Sequence, residues 1–415
     1  MAAVVALVVV VTVTVVGLAG HRSPAAVANQ VVAEPSSTSG GGAPWFAPIA
    51  VSAPAPEQMW VLGTRGPCAA GTSCPQLEHS ADGGRSWRTM PTPDADMTAP
   101  GGVPSTWAGV TFADPSAGWV YGGGLWSTRD GGITWQPKPL PDNAGAYWQF
   151  TFADRDNGWA TGARHLWSTH DGGTTWRRVD IPGERWSVAV DGSTVRTATV
   201  DGDAEIRVSS SPIGADDWTV ADLGRHAPAG GPVLPSVTAR GGHAWVIVQG
   251  RGTIATMRTV GGHWQDWTAP HCGGNGVGTL DATSAGPIYL VCGRPGPAES
   301  RTGEQVFVST DGGDSFTGTS TLWPQVADVY LMSAGPGHLV AAVSDTSAGA
   351  RLLLSADASR SWQPVYAGSP RTSIGGGEFV SPTAGYVLLQ DELGANRLLL
   401  TADGGRTWAE AGFAD

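Results

Sequence analysis

An eight-residue phrase, S/T-x-D-G-G-x-S/T-W in its clearest form, returns along this chain about every 45 residues. The copies run from Ser80 to Trp87, Thr128 to Trp135, Thr169 to Trp176, Ser309 to Phe316, Ser355 to Trp362 and Thr401 to Trp408. From aspartate to aspartate (Asp82, Asp130, Asp171, Asp311, Asp357, Asp403) the intervals are 48, 41, 140, 46 and 46. The long interval is three periods, so two worn units lie inside it, ending near Trp218 and Trp267. A repeat of this length marks a supersecondary unit that buries its apolar faces only by stacking on its neighbours.

A second motif, F-x-D/S-x-x-x-G-W/Y, precedes several copies: Phe112 to Trp119, Phe152 to Trp159 and Phe379 to Tyr386. Each unit thus holds two turn signals between short strands, and no stretch after the leader has a helical period. Four antiparallel strands per unit describe a propeller blade, and a content of 60 Gly and 19 Trp suits many short strands joined by turns. We therefore expect an all-β chain, a single propeller over residues 45–415. The final strands of its eight blades are expected to start near Trp87, Trp135, Trp176, Trp218, Trp264, Phe316, Trp362 and Trp408. Seven blades, with the two worn units merged, is the alternative. The first unit supplies its own first strand around Phe46 to Ser52, so no strand exchange is expected at ring closure.

The repeated phrase has a structural logic that requires no ligand. An Asp beside Gly-Gly accepts backbone N–H groups within its own turn, the glycines take positive φ, and the aromatic residue folds into the seam between sheets. In an antiparallel blade with strands A to D, the A–B and C–D turns share one face and the B–C and D–A connections share the other. Both motifs are turn fasteners on the first face, which leaves the loop face for function. Trp45, Trp107, Trp148 and Trp186 stand near the starts of A strands, and Trp323 lies in a D–A connection. These five are candidates for a stacking surface for sugar or apolar peptide, or else pack between blades.

Residues 1–20 are apolar apart from two threonines, as in a signal segment or a membrane anchor, and residues 21–44 read as a flexible linker rich in Ala, Pro, Ser and Gly. No basic residue precedes the apolar run, so either coding sequence lies upstream or the segment is an anchor. Both readings place the remainder outside the cytoplasm, secreted or tethered. Four cysteines fit an oxidising compartment, with Cys68–Cys74 and Cys272–Cys292 the economical pairing. A zinc site involving His271 lacks a C-x-x-C step. The net charge of -12 offers no basic stripe to nucleic acid. No cofactor or metal is expected: Asp201, Asp203 and Glu205 alternate as on one side of a strand, and read as a solvated face rather than a calcium site.

The S/T-x-D-G-G-x-T-W phrase resembles the Asp-box, or BNR, repeat of sialidases and sortilin-type receptors. With the F-x-D-x-x-x-G-W motif it looks most like the photosystem II assembly factor-like branch of the WD40/YVTN/BNR-like repeat proteins. The resemblance covers almost the whole chain after the leader and implies the propeller fold, while its members range from glycosidases to receptors and assembly factors. Sialidase chemistry would require an R-I-P motif and a Tyr–Glu nucleophile pair; the chain has no R-I-P, and none of its six tyrosines is matched to a glutamate. Resemblance to Asp-box xyloglucanases keeps a glycosidase as the alternative, but the loop-face carboxylates, among them Asp94, Asp142, Glu184 and Asp391, single out no pair. The expected function is an exported, monomeric, non-enzymatic module that binds a protein or glycan partner on its loop face and meets the membrane only through its N-terminal segment.

Overall fold

The computed structural model describes residues 45–66, 74–94, 108–141, 149–162, 165–183, 185–201, 205–226, 233–250, 252–267, 279–282, 286–293, 304–322, 328–345, 348–391 and 396–413. These form eight four-stranded antiparallel sheets, each built from consecutive strands, with no helix among the described residues. The blades span residues 45–90, 109–138, 149–178, 185–226, 234–266, 279–321, 328–367 and 372–410. Blade 1 shows the plan: strands Trp45–Ala55, Gln58–Gly66, Cys74–Ser80 and Arg88–Met90 pair in that order. The ring closes without strand exchange, because blades 1 and 8 each contribute four strands of their own. Side-chain packing closes it instead. Met59 and Val61 of blade 1 join Tyr386 and Leu398 of blade 8 in one core. Phe413, after the last strand, sets its ring 4.7 Å from Phe46 and 4.8 Å from Trp87. Asn396 Nδ2 donates to the Pro48 carbonyl at 3.0 Å.

Each repeated phrase folds as a closed hydrogen-bonded turn. Asp82 Oδ1 accepts from Ser80 Oγ and from the Arg85 and Ser86 amides at 2.8 to 3.0 Å, and its Oδ2 accepts from Ser86 Oγ at 2.6 Å. Ser80 Oγ in turn accepts from the Gly84 amide at 2.8 Å. Thr128/Asp130/Thr134, Thr169/Asp171/Thr175, Ser309/Asp311/Ser315, Ser355/Asp357/Ser361 and Thr401/Asp403/Thr407 repeat the pattern. The paired glycines sit at positive φ, for instance 74° and 88° at Gly83 and Gly84, where any Cβ is strained. The seventh turn has Ala358 and Ser359 instead, at φ 57° and 66°. Ser359 is fully buried and its Oγ lies 2.6 Å from Thr319 Oγ1 of blade 6, a bond that a glycine could not make.

The first glycine of the phrase ties the fold together in two directions. Its N–H donates to the A–B turn of its own blade: Gly83 to Glu57, Gly131 to Ser116, Gly172 to Asp156 and Gly404 to Thr383, at 2.9 to 3.1 Å, with Ala358 to Gly337 as the substitute. Both turns therefore lie on one face. Its carbonyl accepts an indole N–H from the second strand of the preceding blade: Trp60 to Gly131 at 3.1 Å, Trp119 to Gly172 at 3.0 Å and Trp245 to Gly312 at 3.4 Å. The first two of these indoles also stack on the Phe of the F-x-D motif in the following blade, Trp60 on Phe112 at 3.9 Å and Trp119 on Phe152 at 3.5 Å. The glycine preceding each motif Trp makes room for its own blade's Phe. A Cβ at Gly118 would fall 2.4 Å from the Phe112 ring, and one at Gly158 would fall 2.3 Å from Phe152.

The worn units depart from this plan in identifiable ways. Blade 5 turns through Gly261-Gly262 alone, a two-residue hairpin whose last strand, His263–Asp266, starts before Trp264. In blade 4 the phrase is absent, and the buried Trp159 Nε1 of blade 3 is left without a partner. Asp216 replaces the lost contact. It accepts from Ser168 Oγ at 2.7 Å and lies 3.2 Å from His170 Nε2, both on blade 3, and His170 Nδ1 is 2.7 Å from Asn157 Oδ1.

Three outcomes follow from these contacts. Trp119→Phe should cost about 1–2 kcal/mol more than Trp159→Phe in chemical denaturation, since only the first removes a made hydrogen bond. Ala358→Gly should raise stability by about 0.5–1 kcal/mol, read as a shift of the denaturation midpoint, whereas Ser359→Gly should show no gain because it loses the bond to Thr319. Acid should unfold the protein in two stages. Burial and the neighbouring Arg88 lower His79 from 6.5 to about 4, so its share of stability is lost as pH falls through that window. Hydrogen bonds from Ser86 and Ser80 lower Asp82 to about 2, and those from Thr134 and Thr128 do the same for Asp130, so their contribution is present above about 3.8 and lost below it. Circular-dichroism melts across pH should show the upper stage abolished in His79→Gln and the lower stage weakened in Asp82→Asn.

Candidate functional site

The shared face of the A–B and C–D turns is taken up by the bonds just described. The opposite face carries the B–C and D–A connections, which range from the single residue between Gly250 and Gly252 to the eighteen residues 91–108. Of the tryptophans proposed for this face, Trp107, Trp148 and Trp323 lie outside the described residues. Trp45 opens the innermost strand of blade 1 and is 53% exposed. Its ring lies across Gly66, where a Cβ would fall 2.4 Å from the indole, so the glycine gives the ring a flat bed at the rim.

Trp186 has a different position. It opens the first strand of blade 4 but packs half-buried against the core formed by Val179, Val188 and Val195, with its Nε1 buried. A ring held in that seam is no stacking platform, and Trp186 belongs to inter-blade packing, the other of the two roles read from the sequence.

Beside Trp45 the first blade carries a polar ladder. Arg65 Nη1 donates to Gln76 Oε1 at 3.3 Å, Gln76 Nε2 donates to Glu78 Oε1, and Thr89 Oγ1 donates to the same oxygen at 2.8 Å. Glu78 is fully buried, so the ladder carries the Arg65 side chain rather than offering an acid to solvent. In blade 4 the alternating acids are also taken: Arg207 pairs with both Asp201 and Glu205, and the Glu205 amide donates to Asp201 Oδ1 at 2.9 Å. A guanidinium between the carboxylates is the charge that a calcium ion would have supplied, while Asp203 lies outside the described residues. No cluster of metal-ligating side chains occurs among the described residues.

Cys74 starts the third strand of blade 1 and Cys292 stands near the end of the second strand of blade 6; both are disulfide-bonded. Cys68, Cys272 and the whole N-terminal segment, residues 1–44, lie outside the described residues. Among the described residues no helix is long and apolar enough to cross a membrane. The sequence reading missed the double role of the first box glycine and of the motif Trp. The signal was present in the co-occurrence of F-x-D, G-W and D-G-G, but these contacts join different blades.

Residues 97–220, reaching from before blade 2 into blade 4, match a family model described as photosynthesis system II assembly factor YCF48. A solved structure described as YCF48 bound to D1 peptide is 15% identical, with 86% of this chain and 93% of that chain covered and a TM-score of 0.47. A GH74 xyloglucanase from Xanthomonas campestris is 13% identical over 88% of this chain and 73% of its own, at a TM-score of 0.36. A prolyl endopeptidase structure is 9% identical over 73% of this chain and 49% of its own, at 0.50, a likeness of fold alone. No curated protein sequence matches the chain. With its six hydrogen-bonded D-turns and eight four-stranded sheets, the chain is a BNR-type Asp-box β-propeller, similar over residues 97–220 to the photosystem II assembly factor family.

Proposed function

We propose that this propeller is a non-enzymatic binding module that recognises a protein partner through the loop face. The observation that carries this reading is the division of labour between faces. In five blades the A–B and C–D turns bond to each other, which commits that face to holding the ring together. The opposite rim bears connections of unequal length and the exposed Trp45. Similarity to an assembly-factor family favours a polypeptide over a glycan as the partner. The apolar residues 1–20 and the cysteines support an extracytoplasmic location, with Cys68–Cys74 and Cys272–Cys292 as the disulfides that stiffen two B–C/D–A rims.

Cross-linking of the full chain in its native envelope, followed by recovery of bound polypeptide, tests this. Trp45→Ala combined with Trp107→Ala and Trp148→Ala should lower recovery about 10-fold or more, the scale of a lost aromatic anchor. Ile133→Ser, on the opposite face, should leave recovery unchanged. Turnover of polysaccharide or sialoside that disappears when Asp94, Asp142, Glu184 and Asp391 are neutralised, with the fold intact, would overturn the reading in favour of a glycoside hydrolase.

A further inference from the structure

The seam between blades 7 and 8 contains half of the fastener found between blades 1 and 2, 2 and 3, and 5 and 6. Strand register identifies the missing part. In blades 1, 2 and 7 the residue paired with the first position of the turn phrase is Met59 (to Ser80), Gly118 (to Thr128) and Leu339 (to Ser355). The next residue is the anchor that reaches into the following blade: Trp60, Trp119 and, in blade 7, Val340. Blade 8 nonetheless keeps the complete receiving half, Phe379, Pro382 and the Asp403-Gly404-Gly405 turn, in the places that Phe112, Pro115 and Asp130-Gly131-Gly132 hold in blade 2. Among the described residues no donor reaches the Gly404 carbonyl, whose counterparts at Gly131 and Gly172 take an indole N–H at 3.1 and 3.0 Å.

Beside the Gly404 turn there is a cleft of about 270 Å³, open to solvent. Gly335, Pro336 and His338 of blade 7 form one wall, and Pro382, Gly404 and Arg406 of blade 8 form the other. The lining is mainly apolar. Arg406 Nη1 is bonded back to the Asp403 carbonyl, which holds the guanidinium plane over the turn. From there it can cover the face of an aromatic guest, as Arg129 lies 6.0 Å from the Trp119 ring centroid.

We propose that this cleft binds an indole-type group, a planar bicyclic aromatic bearing one N–H, with the N–H donated to the Gly404 carbonyl and the ring held between Pro336 and Pro382. The site is separate from the loop face, because Gly404 and Pro382 belong to the turns of the opposite face. Blade 3 presents the inverse case: Trp159 has its indole but no receiving turn. Loss of a turn leaves a buried donor alone, and loss of an anchor leaves a receptor.

Calorimetric titration of the full chain with indole, N-methylindole and N-acetyltryptophanamide tests the proposal. Indole should bind saturably, and N-methylindole, unable to donate, should bind about 3- to 10-fold more weakly. Val340→Trp should supply the ring internally and weaken indole binding at least 10-fold. His338→Trp, which plugs the cleft from its wall and leaves the core untouched, should do the same if Val340→Trp does not fold. Binding of N-acetyltryptophanamide as tight as that of indole assigns a polypeptide source, and its exclusion with indole retained assigns a small molecule. Absence of binding by both, equal binding of N-methylindole, or undiminished binding in a folded His338→Trp protein overturns the proposal.

Discussion

The ring depends on one residue, the first glycine of the D-G-G turn, which in blades 2 and 3 is used twice. Its N–H holds the two turns of its own blade together and its carbonyl receives the indole of the blade before it. Neighbouring propeller sheets share no strand hydrogen bonds, so registration between them must come from side chains. An indole supplies a large buried face and a single directional donor. Trp60, Trp119 and Trp159 are accordingly among the largest fully buried side chains in the protein.

That arrangement explains why departures from the repeat come in matched pairs of cause and effect. Blade 4 has no such turn, Trp159 has no acceptor, and Asp216 bridges the seam to Ser168 and His170 by another route. Between blades 5 and 6, Arg258 of blade 5 adds a second donor to the Gly312 carbonyl at 2.7 Å, beside the longer bond from Trp245. Where blade 7 lost its Trp, Val340 packs against Gly405, within 2.5 Å of where a Cβ would stand, and a cleft opens beside Gly404. Function can be added to a repeat protein at such places, because the ring tolerates seams that lack the complete fastener.

Much of the architecture was legible in the chain because the fasteners are local. The aspartate, its hydroxyl partners two residues before and four after, and the two glycines all lie within one turn, so periodicity alone locates six of the eight. The worn units were legible only as spacing. Nothing in Gly261-Gly262 distinguishes a two-residue hairpin from a decayed Asp turn until the strands on either side are paired. Nor does sequence reveal that Trp45 lies exposed on a glycine bed while Trp186, at a similar place in its strand, is absorbed by the core of a seam.

The sequence by itself determined the all-β repeat and the face on which the turn motifs gather, since each follows from residues within about 45 positions of one another, while the choice of eight units over seven came from the paired strands. Only the tertiary structure decided which side chains cross from blade to blade, that Arg207 neutralises Asp201 and Glu205, and that the seam between blades 7 and 8 is left with a receiving turn and no ring. The physical reason is distance along the chain. Contacts such as Trp60 to Gly131, 71 residues apart, depend on how two separate sheets pack, and no local pattern encodes that geometry.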